Sequence, residues 1–93
     1  MINISDFKKI YKKVNIIDIR TPMSFNNGHI EGAINIPYSM LIKNPKEYLK
    51  ITDTYYIYCQ KGLTSRNVCS YLKKLGYKVF NINGGYEEWI MEN

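Results

Sequence analysis

Ninety-three residues are enough for one hydrophobic core, so residues 1–93 are expected to form a single domain. Hydrophobic residues make up 45% and charged residues 23%, the composition of a water-soluble globular chain; no apolar run approaches the ~20 residues of a membrane span, and the N-terminus carries no signal-peptide core, so a cytoplasmic protein is expected. The net charge is +5, but the lysines are scattered from Lys8 to Lys78, many on the solvent sides of predicted helices, which argues against nucleic acid and fits a mild field that attracts small anions.

Along the chain, Ile2-Asn3-Ile4 suggests a short edge strand, and Ser5 reads as the N-cap of a helix to about Lys12, with Phe7, Ile10 and Tyr11 on one face. Asn15 to Ile19 has the pattern of a buried strand. Pro22 fits the first turn of a short helix that Asn27-Gly28 closes. Ala33 to Ile36 is a further short strand stopped by Pro37, and a helical region from Tyr38 to about Leu49 is broken near Asn44-Pro45. Thr54 to Tyr58 is a strand, and Ser65 to Leu75 a helix with Val68, Tyr71, Leu72 and Leu75 inward and Gly76 just past its end. Lys78 to Ile82 is the next strand, Asn83-Gly84-Gly85 a turn, and Tyr86 to Met91 a helical turn whose Tyr86 and Trp89 cover the sheet edge. Strands alternating with helices in such short units imply an α/β fold, a parallel sheet covered on both faces.

The chemistry concentrates where the Thr54–Tyr58 strand ends. Cys59 is followed by Gln60-Lys61-Gly62-Leu63-Thr64, with a helix beginning at Ser65. That order sets a thiol over backbone N–H groups at the positive end of a helix, a setting that favours the nucleophilic thiolate. Gly62 lets the loop curl, Ser65 is expected to cap the helix, and Lys61 and Arg66 add positive charge. On open parallel sheets ligands bind beyond the strand C-termini, where Cys59 sits. Cys69, ten positions on, reads as a small packing residue, and the two cysteines make no disulfide framework. Asp18 and Arg20 read as an internal polar network at a strand end, and His29 as a structural hydrogen-bonding residue. The residues suggest no metal cluster, phosphate-binding glycine loop or dinucleotide fingerprint, so no cofactor is expected.

Taken together, Ile17-Asp18-Ile19-Arg20, Gly28-His29-Ile30-Glu31-Gly32-Ala33-Ile34-Asn35-Ile36-Pro37, Tyr58-Cys59-Gln60-Lys61-Gly62-Leu63-Thr64-Ser65, Leu75-Gly76-Tyr77, and Gly84-Gly85 with Trp89 resemble the rhodanese-like (sulfurtransferase) domains, in order and spacing, from Ile4 to Trp89. The resemblance implies a small parallel sheet of about five strands with helices on both faces. It implies that Cys59 takes a sulfane sulfur from a donor such as thiosulfate, becomes a persulfide, and passes the sulfur to a thiophilic acceptor, with cyanide the usual laboratory one. Gln60, Lys61, Gly62, Leu63, Thr64, Ser65 and Arg66 are then the substrate-binding residues, with Asp18 and Arg20 in support. The partners implied are small anionic sulfur donors and thiol or protein acceptors, for a monomer that binds neither nucleic acid nor membrane.

Two features depart from the family pattern. Thr64 stands where many members carry Arg, the basic residue coming two places later as Arg66, and Thr21-Pro22-Met23-Ser24-Phe25 lacks the acidic residues common there. Related phosphatases and arsenate reductases need Cys, five residues, then Arg; that position is Ser65 here, which sets this alternative behind sulfur transfer. A catalytically silent interaction module is the other alternative, against which the presence of Cys59 counts.

Overall fold

The computed structural model describes residues 1–92. Four strands, β1 (Asn15–Asp18), β2 (Ile34–Asn35), β3 (Thr54–Tyr58) and β4 (Lys78–Asn81), form one sheet in the order β2-β1-β3-β4, and every pairing is parallel. The expected fifth strand is reduced to a single parallel bridge, Ile2 to Ile82. Asn3 ends it by turning to cap the first helix.

Six helices connect and cover the sheet: α1 (Ile4–Phe7), α2 (Pro22–Asn27), α3 (Tyr38–Lys43), α4 (Pro45–Tyr48), α5 (Leu63–Lys74) and α6 (Gly85–Met91), with a 3₁₀ turn at Tyr11–Lys13. The first helix is shorter than its sequence suggests, and its cap is Asn3 rather than Ser5. The Asn3 side chain accepts the Asp6 N–H at 2.8 Å, and this start places Ile4 and Phe7, three residues apart, both fully buried. In α2 the Thr21 side chain accepts the Ser24 N–H, and Pro22 occupies the first helical position, where a missing N–H costs nothing.

The two faces of the sheet bury separate clusters because side chains alternate along each strand. Ile17, Ile19, Tyr55, Ile57, Cys59 and Val79 face one cluster, closed by Leu41 of α3 and by Val68, Cys69 and Leu72 of α5. Ile16, Tyr58 and Ile82 face the other, closed by Ile4 and Phe7 of α1 and by Tyr86 and Trp89 of α6. Trp89 meets Phe7 and Tyr11 edge-on at ring separations of 6.1 and 5.1 Å, geometry that aromatic quadrupoles favour.

The longest helix differs from expectation at both ends. Its N-cap is Gly62, not Ser65, and Tyr71 and Leu75, expected inward, are 44% and 48% exposed. Only one stripe of α5 meets the sheet; Val68, Cys69 and Leu72 fill it, and Tyr71 turns outward toward α3. At the C-terminal end the Tyr77 N–H reaches the Leu72 carbonyl and the Gly76 N–H the Lys73 carbonyl, which satisfies the last carbonyls and returns Tyr77 to the core.

Candidate active site at the end of strand β3

Cys59 follows β3 and is only 8% exposed, in the mouth of a cleft of about 620 Å³ at the C-terminal end of the sheet. The cleft is lined by Gln60, Lys61, Leu63 and Thr64 of the loop, by Ile19, Arg20, Thr21 and Ser24 from the β1–α2 connection, and by Tyr38 of α3. Parallel β1 and β3 end side by side, with Asp18 in register with Tyr58, so the two connections converge here.

The sulfur has three hydrogen-bonding partners. Sγ accepts the Gly62 N–H at 3.1 Å and the Ser65 N–H at 3.3 Å, and the thiol donates to Ser65 Oγ at 3.3 Å. Gly62 can present its amide this way because its φ is +89°, in the left-handed region. A Cβ at that position would also lie 2.9 Å from the Gly84 nitrogen. The loop is held from below by α6, whose Tyr86 and Glu87 amides donate to the Cys59 and Gln60 carbonyls, each at 3.0 Å.

Ser65, expected as a cap, lies fully buried inside the first turn of α5 and holds the sulfur with its own amide. Its hydroxyl donates to Asn81 Oδ1. Asn81 is 2% exposed, and its Nδ2 donates to the Gly62 carbonyl at 3.3 Å and to Asn83 Oδ1 at 3.0 Å. Sequence reasoning missed Asn81; the one available signal was a carboxamide in an otherwise buried strand position, flanked in register by Ile57.

Asp18 and Arg20 form the expected internal network. Arg20 Nη2 meets Asp18 Oδ2 at 2.7 Å and Nε meets both carboxylate oxygens at 3.1 Å, with the Asp18 side chain fully buried and that of Arg20 7% exposed. Nη2 also donates to the Gly28 carbonyl at 2.6 Å and Nη1 to Gln60 Oε1 at 3.1 Å, and the guanidinium lies 4.3 Å from the Tyr86 ring centre. Burial works to lower the Arg20 pKa, but the hydrogen bond and charge of Asp18 outweigh it and the net shift is upward. Arg20 thereby joins the β1–α2 connection to the cysteine loop through Gln60.

Of the remaining residues singled out, Thr64 is exposed and lines both the cleft and a neighbouring groove with Tyr38, Ile42, Asn67, Val68 and Tyr71. Lys61 lines the cleft. Arg66 is exposed and is not among the cleft residues; its amide donates to the Gly62 carbonyl at 3.3 Å. His29 Nδ1 lies 2.8 Å from the Phe25 carbonyl and its ring stacks on Phe25 at 3.7 Å, a local structural role. Cys69 is buried, and burial pushes its thiol up to about 11. No helix among the described residues is long and apolar enough to cross a membrane.

The model of the rhodanese-like domain matches residues 3–92. Among curated proteins, an uncharacterised protein of Bacillus subtilis, YqhL, is 38% identical over 85 residues, covering 90% of this chain and 67% of its own length. The thiosulfate sulfurtransferase GlpE of Shewanella oneidensis is 35% identical, covering 88% of this chain and 81% of its own. Among solved structures, a rhodanese-related protein of Thermoplasma volcanium superposes with a TM-score of 0.91 at 32% identity, over 99% of this chain and 91% of that one. The parallel sheet, the amide-lined cysteine loop and these likenesses agree: this chain belongs to the rhodanese-like family.

Proposed function

We propose that the protein is a sulfurtransferase or sulfane-sulfur carrier with Cys59 as its nucleophile. The observation that carries this is the cradle around Sγ, in which the amides of Gly62 and Ser65 donate to the sulfur at 3.1 and 3.3 Å at the mouth of a solvent-open cleft. Amides that aim at a sulfur favour its anionic forms, and they do so with no side chain that competes as a base. Similarity to proteins named thiosulfate sulfurtransferases supports the same reading.

In the proposed cycle the Cys59 thiolate attacks the outer sulfur of thiosulfate. A new S–S bond forms, the S–S bond of thiosulfate breaks, and sulfite leaves with the bonding electron pair. The product is a Cys59 persulfide anion. An acceptor thiolate or cyanide then attacks the terminal sulfur, the persulfide S–S bond breaks, and the Cys59 thiolate is regenerated. Lys61 in the cleft wall favours a dianionic donor, whereas the Arg20 charge is largely committed to Asp18. Gln60, Leu63 and Thr64 shape the mouth, and Thr64 contributes a hydroxyl without charge.

Intact mass spectrometry tests the proposal. After thiosulfate the protein should gain one sulfur atom, mapped to Cys59, and lose it to cyanide with release of thiocyanate. Cys59→Ser should take up no sulfur while it keeps the wild-type circular dichroism spectrum. Sulfur uptake by that variant, or none by the wild type from thiosulfate or a small-molecule persulfide, overturns it.

A further inference from the structure

The Ser65 hydroxyl carries one proton and faces two acceptors, Cys59 Sγ and Asn81 Oδ1. The proton goes to Asn81, so toward the sulfur Ser65 Oγ acts as an acceptor and receives the S–H. The direction is set by Asn81, whose Nδ2 is engaged by the Gly62 carbonyl and Asn83 Oδ1, leaving Oδ1 to face Ser65. An acceptor aimed at a thiol favours the protonated form, while the two amides favour the thiolate; the sulfur thus sits between opposed hydrogen-bonding demands.

We propose that Asn81 is a positioning residue for Cys59: by holding the Ser65 hydroxyl turned away from the sulfur it restrains formation of the thiolate, and by its bond to Gly62 it keeps the loop amide in place. This rests on the proposal that Cys59 is the nucleophile. For the thiolate to gain a third donor, Ser65 must swing its proton to Sγ and leave the buried Asn81 oxygen without one, a rearrangement that opposes itself. In a persulfide Sγ bears no proton, so the S–H bond to Ser65 Oγ is absent, but the charge lies on the outer sulfur rather than on Sγ beside the Oγ lone pairs. The network therefore matches the thiol fully and opposes most the free thiolate, whose full charge on Sγ faces the lone pairs of Ser65 Oγ, which limits its lifetime toward adventitious electrophiles.

The charged and titratable groups around Cys59 are Arg20 with its partner Asp18, Tyr58, Lys61, Tyr38 from α3 and Cys69 from α5, while α6 approaches through the amides of Tyr86 and Glu87. These are common to all the variants below, so differences between variants report the hydroxyl.

The test is the pH profile of Cys59 alkylation by iodoacetamide, read by peptide mass spectrometry on the full chain without any sulfur donor. Asn81→Leu is measured in the wild type and in the Ser65→Ala background. Loss of the Gly62 tether alone raises the midpoint equally in both. Release of the hydroxyl acts only where Ser65 is present, so the midpoint there should move down relative to the other background by about one pH unit, or roughly tenfold faster alkylation below it. Equal shifts in the two backgrounds overturn the proposal. Should Asn81→Leu fail to fold, Ser65→Ala alone decides: a lowered midpoint supports the restraint, and an unchanged or raised midpoint overturns it. Because no sulfur is transferred, failure here is distinct from failure of the sulfur-transfer cycle.

Discussion

Replacing Gly85 by alanine should unseat the cysteine loop. Gly85 has φ +61° and sits directly beneath the loop; an added Cβ would run into the Cys59 carbonyl oxygen and lie 2.8 Å from the Gln60 carbonyl oxygen and 2.9 Å from its carbon. All three are backbone atoms, so no side-chain rotation relieves the contact. The left-handed backbone costs alanine about 1–2 kcal/mol. Moving the loop away weakens the Tyr86 and Glu87 amide bonds to the Cys59 and Gln60 carbonyls, at about 1 kcal/mol each. The sum is about 3–4 kcal/mol, a large share of the ~5–15 kcal/mol by which domains are stable, and corresponds to a fall in Tm of roughly 12–30 °C for a chain of this size. Gly32→Ala is the internal control: its φ is +90°, yet an added Cβ meets nothing within 4 Å, so it should lose only the backbone component. Urea unfolding and thermal melts of both variants measure the difference, and persulfide formation on Gly85→Ala at low temperature should be slowed more than tenfold as the amides leave the sulfur. Equal stability losses in the two variants would refute the reasoning, because the contact with the loop would then carry no energy.

Asp18→Ala leaves the Arg20 guanidinium almost fully enclosed without its carboxylate and should destabilise by about 3–5 kcal/mol in urea unfolding; a loss under 1 kcal/mol would mean that Arg20 finds water instead. Lys61→Ala should raise the KM for thiosulfate several-fold at low ionic strength and less at high salt, and Arg66→Ala, which lies off the cleft, should do so less; the reverse order would place the useful charge on α5. Burial holds the Cys69 thiol up at about 11, above its value in the unfolded chain, so this group stabilises the fold below pH ~9 and the contribution is lost as pH rises toward 11. Relative to Cys69→Ala, the wild type should therefore lose about 2–3 kcal/mol between those limits, and parallel pH–stability curves would contradict it.

Much of the frame was legible because it rests on local signals. Thr54–Tyr58, the Pro22 helix, the break at Asn44-Pro45 and the stop at Gly76 all follow from β-branched and aromatic runs or from residues whose backbone preferences act alone. The Asp18–Arg20 pair was visible as a polar couple at the end of a buried strand. What escaped depends on partners distant in sequence. Asn3 and Ser5 are both competent caps, and the choice falls to Asn3 because Ile4 and Phe7 must bury together against residues such as Tyr58 and Ile82. Ser65 looked like a cap because serine often is one; its hydroxyl instead serves Asn81, sixteen residues on, and the start of the helix passes to a glycine in the left-handed region. By residue count Arg66 can face either the loop mouth or solvent; its side chain is exposed and lies off the cleft, a choice that depends on how α5 sits on the sheet.

The bridge between Ile2 and Ile82 closes almost the whole chain on itself, with the Ile2 N–H on the Asn81 carbonyl and the Asn83 N–H on the Ile2 carbonyl. Joining points eighty residues apart carries a loop-closure entropy of about 4 kcal/mol from the logarithmic length dependence, so this clasp gains little until the strands between are already in place. During vectorial synthesis Ile4, Phe7 and Ile16 emerge early and meet Ile30, Tyr56 and Tyr58 as those follow, but their cluster stays open until Ile82, Tyr86 and Trp89 arrive. One whole face of the sheet is thereby the last part of the molecule to be sealed, and the first to open when the clasp is released.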